Sequence, residues 1–247
     1  PENIPRWRAQ GMLGIFTNIA PGIDRLDKRM YSRYDDWIIL GSVVAIPSYN
    51  TKLVPAAEAP KNWEDLLNPK WKGQIGMPAD FKTWTTLAVA EGGWGVEKTE
   101  DFLRRLKQQD PIYGAANTAT HALLKSGEFK IDANDYLHNI LNSQEKKAPV
   151  AWIKASPAVV IGVQFNLLKN APNPNAAKLF LEWMTSPQGM LFWDKITGQG
   201  APFPGSKTRM ANLLKGVPLC VSTEEAVQKI IDMGLVERYG KVLGIAP

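Results

Sequence analysis

Two stretches of the chain are apolar at nearly every position rather than at every second or every fourth. Trp37-Ile-Ile-Leu-Gly-Ser-Val-Val-Ala-Ile46 and Val159-Val-Ile-Gly-Val-Gln-Phe-Asn-Leu-Leu168 are rich in β-branched residues and lack a helical period. That pattern predicts long buried strands. Between them the pattern alternates. A helix is predicted after Asn62, a strand over Gly73–Met77, a helix from Thr83 to Glu91, one after Thr99 and one from Asn117 to Lys125. A strand near Phe129–Ala133, a helix from Tyr136 and a strand over Val150–Ile153 follow. Strands alternating with helices predict an α/β lobe with a parallel or mixed sheet.

After residue 168 the helical signals are strong. Asn173-Pro174 sets a capping side chain before a proline at the first helical position, and Ala177, Phe180, Leu181 and Met184 then recur at helical spacing. Ser186-Pro187 repeats the device and opens a second helix with Leu191, Phe192 and Ile196. Gly198–Gly205 reads as a loop, and Ser222 with Glu225 as a capping box opening the last long helix. A chain that leaves one lobe through the first long strand and returns through the second has a two-stranded hinge, with a ligand cleft between the lobes. Lobe 1 is then 1–46 with 159–205, lobe 2 is 47–158, and 206–247 supplies C-terminal helices packing across the lobes.

Composition narrows the function classes. The 247 residues are 45% hydrophobic and 21% charged, and the 29 Lys and Arg are scattered, with no basic stripe interleaved with aromatics to meet nucleic acid. No apolar run approaches the roughly 18 residues that cross a bilayer, and residues 1–20 lack the basic start and apolar stretch of a signal peptide. Cys220 is the single cysteine, with no motif around it, and two histidines, His121 and His138, are too few for a His-rich metal centre. Neither histidine sits in a nucleophile elbow or at metal-ligand spacing, so an enzyme on a two-lobed fold is the minor reading and no cofactor is expected.

Several segments, in order, resemble bacterial extracellular solute-binding proteins of family 1, in the branch containing the periplasmic ferric-iron binders. They are Tyr49-Asn-Thr-Lys-Leu-Val54, Asn62-Trp-Glu-Asp-Leu-Leu-Asn-Pro-Lys-Trp-Lys-Gly-Gln-Ile-Gly-Met-Pro78, Leu123-Leu-Lys-Ser-Gly-Glu128, Ala148-Pro-Val-Ala-Trp152, and Lys169-Asn-Ala-Pro-Asn-Pro-Asn-Ala-Ala-Lys-Leu-Phe180 with Ser186-Pro-Gln-Gly189. The resemblance implies a type 2 periplasmic-binding-protein fold, two α/β lobes joined by a two-stranded hinge, a periplasmic or lipid-anchored location, and an ABC transporter membrane permease as partner. It implies a monomeric binder of a small molecule or ion, without catalysis. Family members usually carry some sixty residues before the region matching Ile4–Phe16, so the first lobe is expected to be incomplete here.

Candidate ligand residues follow from local chemistry. Lys82-Thr83-Trp84-Thr85 opens a helix after a strand, where free N–H groups and the helix dipole attract anions. Thr83 and Trp84 have an alternative as helix cap and core residue, and Asn117 reads as a cap or a ligand group. Asn134, Asp135 and Tyr136 form a polar run ahead of a helix. The resembling ferric binders place tandem tyrosines near there, because paired phenolates suit Fe(III). Here Leu137 follows Tyr136, leaving Tyr136 with His138 as the metal alternative. Tyr49, Asn50 and Trp152 complete the candidates. The reading is a small, anionic solute bound by lobe closure, with ferric iron as the alternative cargo.

Overall fold

The protein is described from a computed structural model, which covers residues 3–15, 26–203 and 206–245. In chain order its elements are α1 (Ile4–Ala9), β1 (Ile38–Asn50), β2 (Ile75–Pro78), α2 (Lys82–Val89), α3 (Val96–Lys107), β3 (Ile112–Gly114), α4 (Asn117–Ser126), β4 (Ile131–Tyr136) and α5 (Leu137–Glu145). There follow β5 (Val150–Trp152), β6 (Ala158–Phe165), α6 (Pro174–Thr185), α7 (Pro187–Thr197), α8 (Arg209–Leu213), β7 (Leu219–Val221), α9 (Glu224–Asp232) and α10 (Leu235–Leu243). The predicted α/β alternation is present, with one addition: the short edge strand β3. The helix expected after Asn62 is two 3-10 turns, Glu64–Leu67 and Pro69–Trp71. Pro69 opens the second turn, and Asn68 Oδ1 accepts from the Lys70 N–H at 3.1 Å, a cap that starts a new turn rather than prolonging the old one.

The chain divides into two compact units. The first comprises Pro1–Val43 and Gly162–Gly216, the second Val44–Ile161 and Val217–Pro247. Both long apolar stretches are strands, β1 and β6, neighbours in the sheet, and each crosses from one unit to the other. A third crossing falls at Gly216–Val217, which assigns α9 and α10 to the second unit. The Cys220 segment missed as a strand by the sequence pattern is β7, pairing in parallel with β6.

In the first unit Ile38 and Leu40 of β1 pack with Leu167, Leu181 and Met184, flanked by Phe165, Ala177 and Trp193. Arg8 holds Asp36 through two bonds, Nε to Oδ2 at 2.5 Å and Nη2 to Oδ1 at 2.9 Å, while its guanidinium stacks on Tyr34. Ser186 caps α7 by accepting from the Gly189 N–H at 3.1 Å, as its sequence predicts. Asn173 makes no capping bond to α6.

The second unit is built on the sheet order β3-β2-β4-β1-β6-β7, with β5 on β1. Helices α4 and α5 lie on β2, β4 and β5, while α2 packs on β7 and against α3 and α9. Gly76 of β2 lies so close to the Phe129 ring that any Cβ there would collide with it. The last predicted helix is two helices. Thr223, not Ser222, caps α9 by accepting from the Ala226 N–H at 3.3 Å, and Gly234, at φ 58°, separates α9 from α10.

Candidate functional site

The pairing of β1 with β4 slips at Pro47. Ile46 faces Asp135 and Ser48 faces Asp132, so two steps on β1 span three on β4. The extra residue is a β-bulge, and proline, with no N–H to lose, suits the partner strand at that point. Side chains replace the interrupted ladder. Asp132 Oδ1 accepts from the Asn134 N–H at 2.9 Å, Asp135 Oδ1 accepts from the Tyr136 N–H at 2.7 Å, and Asn117 Nδ2 donates to the Asn134 carbonyl at 2.8 Å. Consecutive residues of β4 therefore reach different helices. Asn134 Oδ1 accepts from the Thr83 hydroxyl of α2 at 2.7 Å, whereas Asp135 Oδ2 meets His121 Nδ1 of α4 at 2.7 Å and accepts from the Ser48 hydroxyl at 2.7 Å.

This arrangement sets a buried donor beside the start of α2. Phe81 is the N-cap and offers no side-chain bond, and Asp80 Oδ1 accepts from the Lys82 N–H at 2.9 Å. The next amides of the first turn have no carbonyl of their own helix to bond, and the dipole makes this end positive. Because the Asn134 oxygen faces Thr83, its Nδ2 is left buried with no hydrogen-bond partner. Lys82 adds an exposed cation at the same turn. A buried amide donor without an acceptor is costly, and an oxyanion supplies the missing acceptor.

Asp132 sits beneath, fully buried, with Oδ2 lacking a partner. Burial, then the charge of Asp135, raises its carboxyl well above the ordinary range, against the pull of the Asn134 N–H. The folded state thus binds this proton more tightly than the unfolded chain. The associated stability is complete below the unfolded value near 3.8 and is lost as pH rises through the raised folded value. Asp132→Asn is accordingly expected to raise the melting temperature at pH 7–8 by several degrees and to have no such effect near pH 3, measured by calorimetry across that range.

The structure brings Lys82, Thr83, Asn117, Asn134, Asp135 and Tyr136 together through these bonds, and adds Asp80, Asp132, Ser48 and His121, which sequence reasoning did not place there. The run Ile131–Tyr136, whose polar residues Asp132, Asn134 and Asp135 are buried in a strand, signals Asp132 alone among these four. Neither Thr83 nor Asn117 is a cap, since both spend their side chains on β4. Trp84 is not an apolar wall of the site. It is 0% exposed and packs with Trp63 and Phe102, ring centroids 5.8 Å apart in each case. Asn50 is buried and spent on backbone, donating to Leu124 O at 2.8 Å and accepting from Lys52 N at 3.0 Å. Leu124 and Ile131, the partners of Asn50 and Tyr49, lie at the far ends of α4 and β4 from Asn117 and Tyr136. Trp152 faces Ser48 across β1, half-buried. The loop at Gly198–Gly205 ends outside the described residues.

The Tyr136–His138 alternative fits ferric ion poorly. Their rings stack at 5.7 Å, burial followed by the Asp80 carboxylate pushes the Tyr136 phenol upward, and burial pushes His138 downward. The site offers one reluctant phenol where Fe(III) favours two phenolates. Among the described residues no group of three or more His, Cys, Asp or Glu is placed to hold a metal.

One arrangement copies the connectivity of a nucleophilic relay. His121 Nε2 lies 2.7 Å from Ser143 Oγ, and its Nδ1 2.7 Å from Asp135 Oδ2. Yet Ser143 and His121 are buried, and every polar side-chain atom of Ser143, His121 and Asp135 is already paired within the protein, which leaves none to meet an acyl group. The relay is structural. Cys220 is no nucleophile either, because burial pushes its thiol up to about 12.

The fold and part of the sequence have known counterparts. The family described as bacterial extracellular solute-binding protein matches residues 4–227. An uncharacterized protein of Haemophilus influenzae is 32% identical over 143 residues, 55% of this chain, and the chain spans 40% of that curated relative's length. The periplasmic binding protein AfuA from Actinobacillus pleuropneumoniae, solved with fructose-6-phosphate bound, superimposes with a TM-score of 0.76 at 19% identity, covering 97% of this chain and 79% of AfuA. An ABC transporter substrate-binding protein from Bradyrhizobium japonicum superimposes with a TM-score of 0.79 at 16% identity, covering 98% and 80%. Among the described residues no helix is long and apolar enough to cross a membrane. With its family match running almost from end to end and its α/β fold shared with these binding proteins, the chain belongs to the bacterial extracellular solute-binding protein family.

Proposed function

We propose that this protein is the solute-binding component of an ABC importer, located outside the cytoplasmic membrane, and that it grips a small organic solute through an oxyanion. The observation that carries the reading is the Asn134 carboxamide, buried, locked by Thr83, and left with its Nδ2 donors facing no acceptor at the positive end of α2. Lys82 supplies the charge complement, and Asn117 fixes the strand from which Asn134 projects. The half-buried Tyr136 and the Asp80 carboxylate offer a donor and an acceptor to the remainder of the solute, suiting hydroxylated phosphates or carboxylates better than a bare ion. Binding without turnover is the activity the family implies.

The test is a thermal-shift screen with sugar phosphates, inorganic phosphate, phosphonates, carboxylates, polyamines and Fe(III), followed by calorimetric titration. The bound class is expected to raise the melting temperature with the logarithm of its concentration. Asn134→Leu, which keeps volume and removes the donors, is expected to weaken it by about a hundredfold, the loss of a hydrogen bond to a charged group. A hit confined to polyamines, or an Asn134→Leu variant binding as tightly as wild type, sinks the oxyanion reading.

A further inference from the structure

We propose that His121 is a positioning residue for this site, holding through Asp135 the end of β4 from which Asn134 and Tyr136 project; the proposal rests on the oxyanion reading above. The bulge explains why such a device is needed. Between Asp132 and Asp135 the strand carries one residue more than its partner, so the backbone there is held by side chains instead of by β1. Asp135 carries the largest share. Its Oδ1 receives the Tyr136 N–H, and its Oδ2 is pinned by the Ser48 hydroxyl of β1 and by His121 Nδ1, each at 2.7 Å. Without His121, Oδ2 rests on the freely rotating Ser48 hydroxyl alone, whereas the imidazole, itself held on its far side, adds a partner that cannot turn with the carboxylate.

His121 is in turn fixed from behind. Its Nε2 meets Ser143 Oγ of α5 at 2.7 Å. With Nδ1 donating to Asp135, Nε2 is the acceptor for the serine hydroxyl, a single tautomer that satisfies all three residues. The chain Ser143–His121–Asp135–Tyr136 N–H thus joins α5, α4 and β4, and every side chain in it is buried. None of these groups touches the solute face directly. Asn134, the residue before Asp135, carries the Nδ2 donor assigned to the solute above, and rotation of the Asp135 carboxylate releases the N–H of the peptide that follows Asp135.

Amide groups that imitate one imidazole nitrogen at a time separate positioning from packing. His121→Asn keeps an N–H near the Nδ1 position and serves Asp135, while His121→Gln places its amide near Nε2 and serves Ser143. The measurements are amide hydrogen exchange at Tyr136 in the ligand-free protein and the dissociation constant of inorganic phosphate. His121→Gln is expected to speed Tyr136 exchange and weaken phosphate about tenfold each, while His121→Asn and Ser143→Ala change either by less than about threefold. Should His121→Gln fail to fold, Asp135→Asn carries the same expectation as His121→Gln. Equal effects of His121→Asn and His121→Gln, or unchanged Tyr136 exchange in His121→Gln, overturn the proposal. If wild-type protein ignores phosphate while Tyr136 exchange still follows the Asn–Gln contrast, the oxyanion reading fails and the control of the strand end by His121 stands.

Discussion

Trp84→Ala is expected to lower the unfolding free energy of the second unit by about 4 kcal/mol, near the top of the range for deleting a large core side chain. Trp84 is 0% exposed and lies in an aromatic cluster in which Trp63 and Phe102 stand 5.8 Å from it, and Trp94 stands 5.9 Å from Trp63 and 5.1 Å from Phe102. Removing the indole leaves Trp63 and Phe102 facing a void, and an edge-to-face contact with Trp63 and a tilted one with Phe102, worth about 0.5–1.5 kcal/mol each, go with it. Trp84→Phe is the informative companion. The Trp84 Nε1 has no hydrogen-bond partner, so phenylalanine forfeits volume but no bond, at a cost of about 1–2 kcal/mol. Denaturant unfolding followed by circular dichroism measures both. The same Trp84→Phe protein decides the residue's role, because a wall of the solute site would lose affinity with little loss of stability, and a core residue does the reverse.

That residue also shows where sequence reading stops. The alternation of strands and helices between residues 47 and 158 was legible because each element has a period, and the two long apolar strands because they have none. What a period cannot tell is which way a polar side chain at a helix start faces. Thr83, at a cap-like position, reaches instead to Asn134, fifty-one residues on, and Asn117 reaches to the Asn134 carbonyl. Both bonds depend on a bulge created by one extra residue on β4, a register fact that exists only once β1 and β4 pair. For the same reason His121 and Ser143, invisible as a pair in the sequence, meet Asp135 only across α4, α5 and β4. The Ser222–Glu225 box was misplaced by one residue because Thr223 offers the same hydroxyl, and the chain reaches the Ala226 N–H from there. The resemblance supplied what periodicity lacked, namely that scattered segments such as Tyr49–Val54 and Asn62–Pro78 belong to one transport fold.

The first unit is expected to associate through α6 and α7, in proportion to protein concentration. Of α7's residues only Gly189 is buried, although the helix carries Met190, Leu191, Phe192, Trp193 and Ile196. Ile196 is 64% exposed, Leu179 of α6 is 68% exposed, and Trp183 meets Phe192 edge to face at 5.2 Å with both residues nearly half exposed. By contrast α9, of similar length, buries Ala226, Val227 and Ile230. Beside this face a cavity of about 350 Å³, lined by Leu26, Met30, Pro187, Met190, Leu191 and Lys207 among others, adds unfilled apolar wall. Covering such a surface gains about 25 cal/mol per Å² of apolar area, so contact between any two such faces is favoured over leaving them wet. Sedimentation velocity of the 247-residue chain should therefore show species heavier than one chain, and bis-ANS should fluoresce on binding it. Phe192→Glu combined with Ile196→Lys should return the protein to a monomer, suppress most of the dye signal and leave the unfolding midpoint nearly unchanged, since half-exposed side chains contribute little packing. A wild-type chain that sediments as one species and binds no dye overturns this expectation.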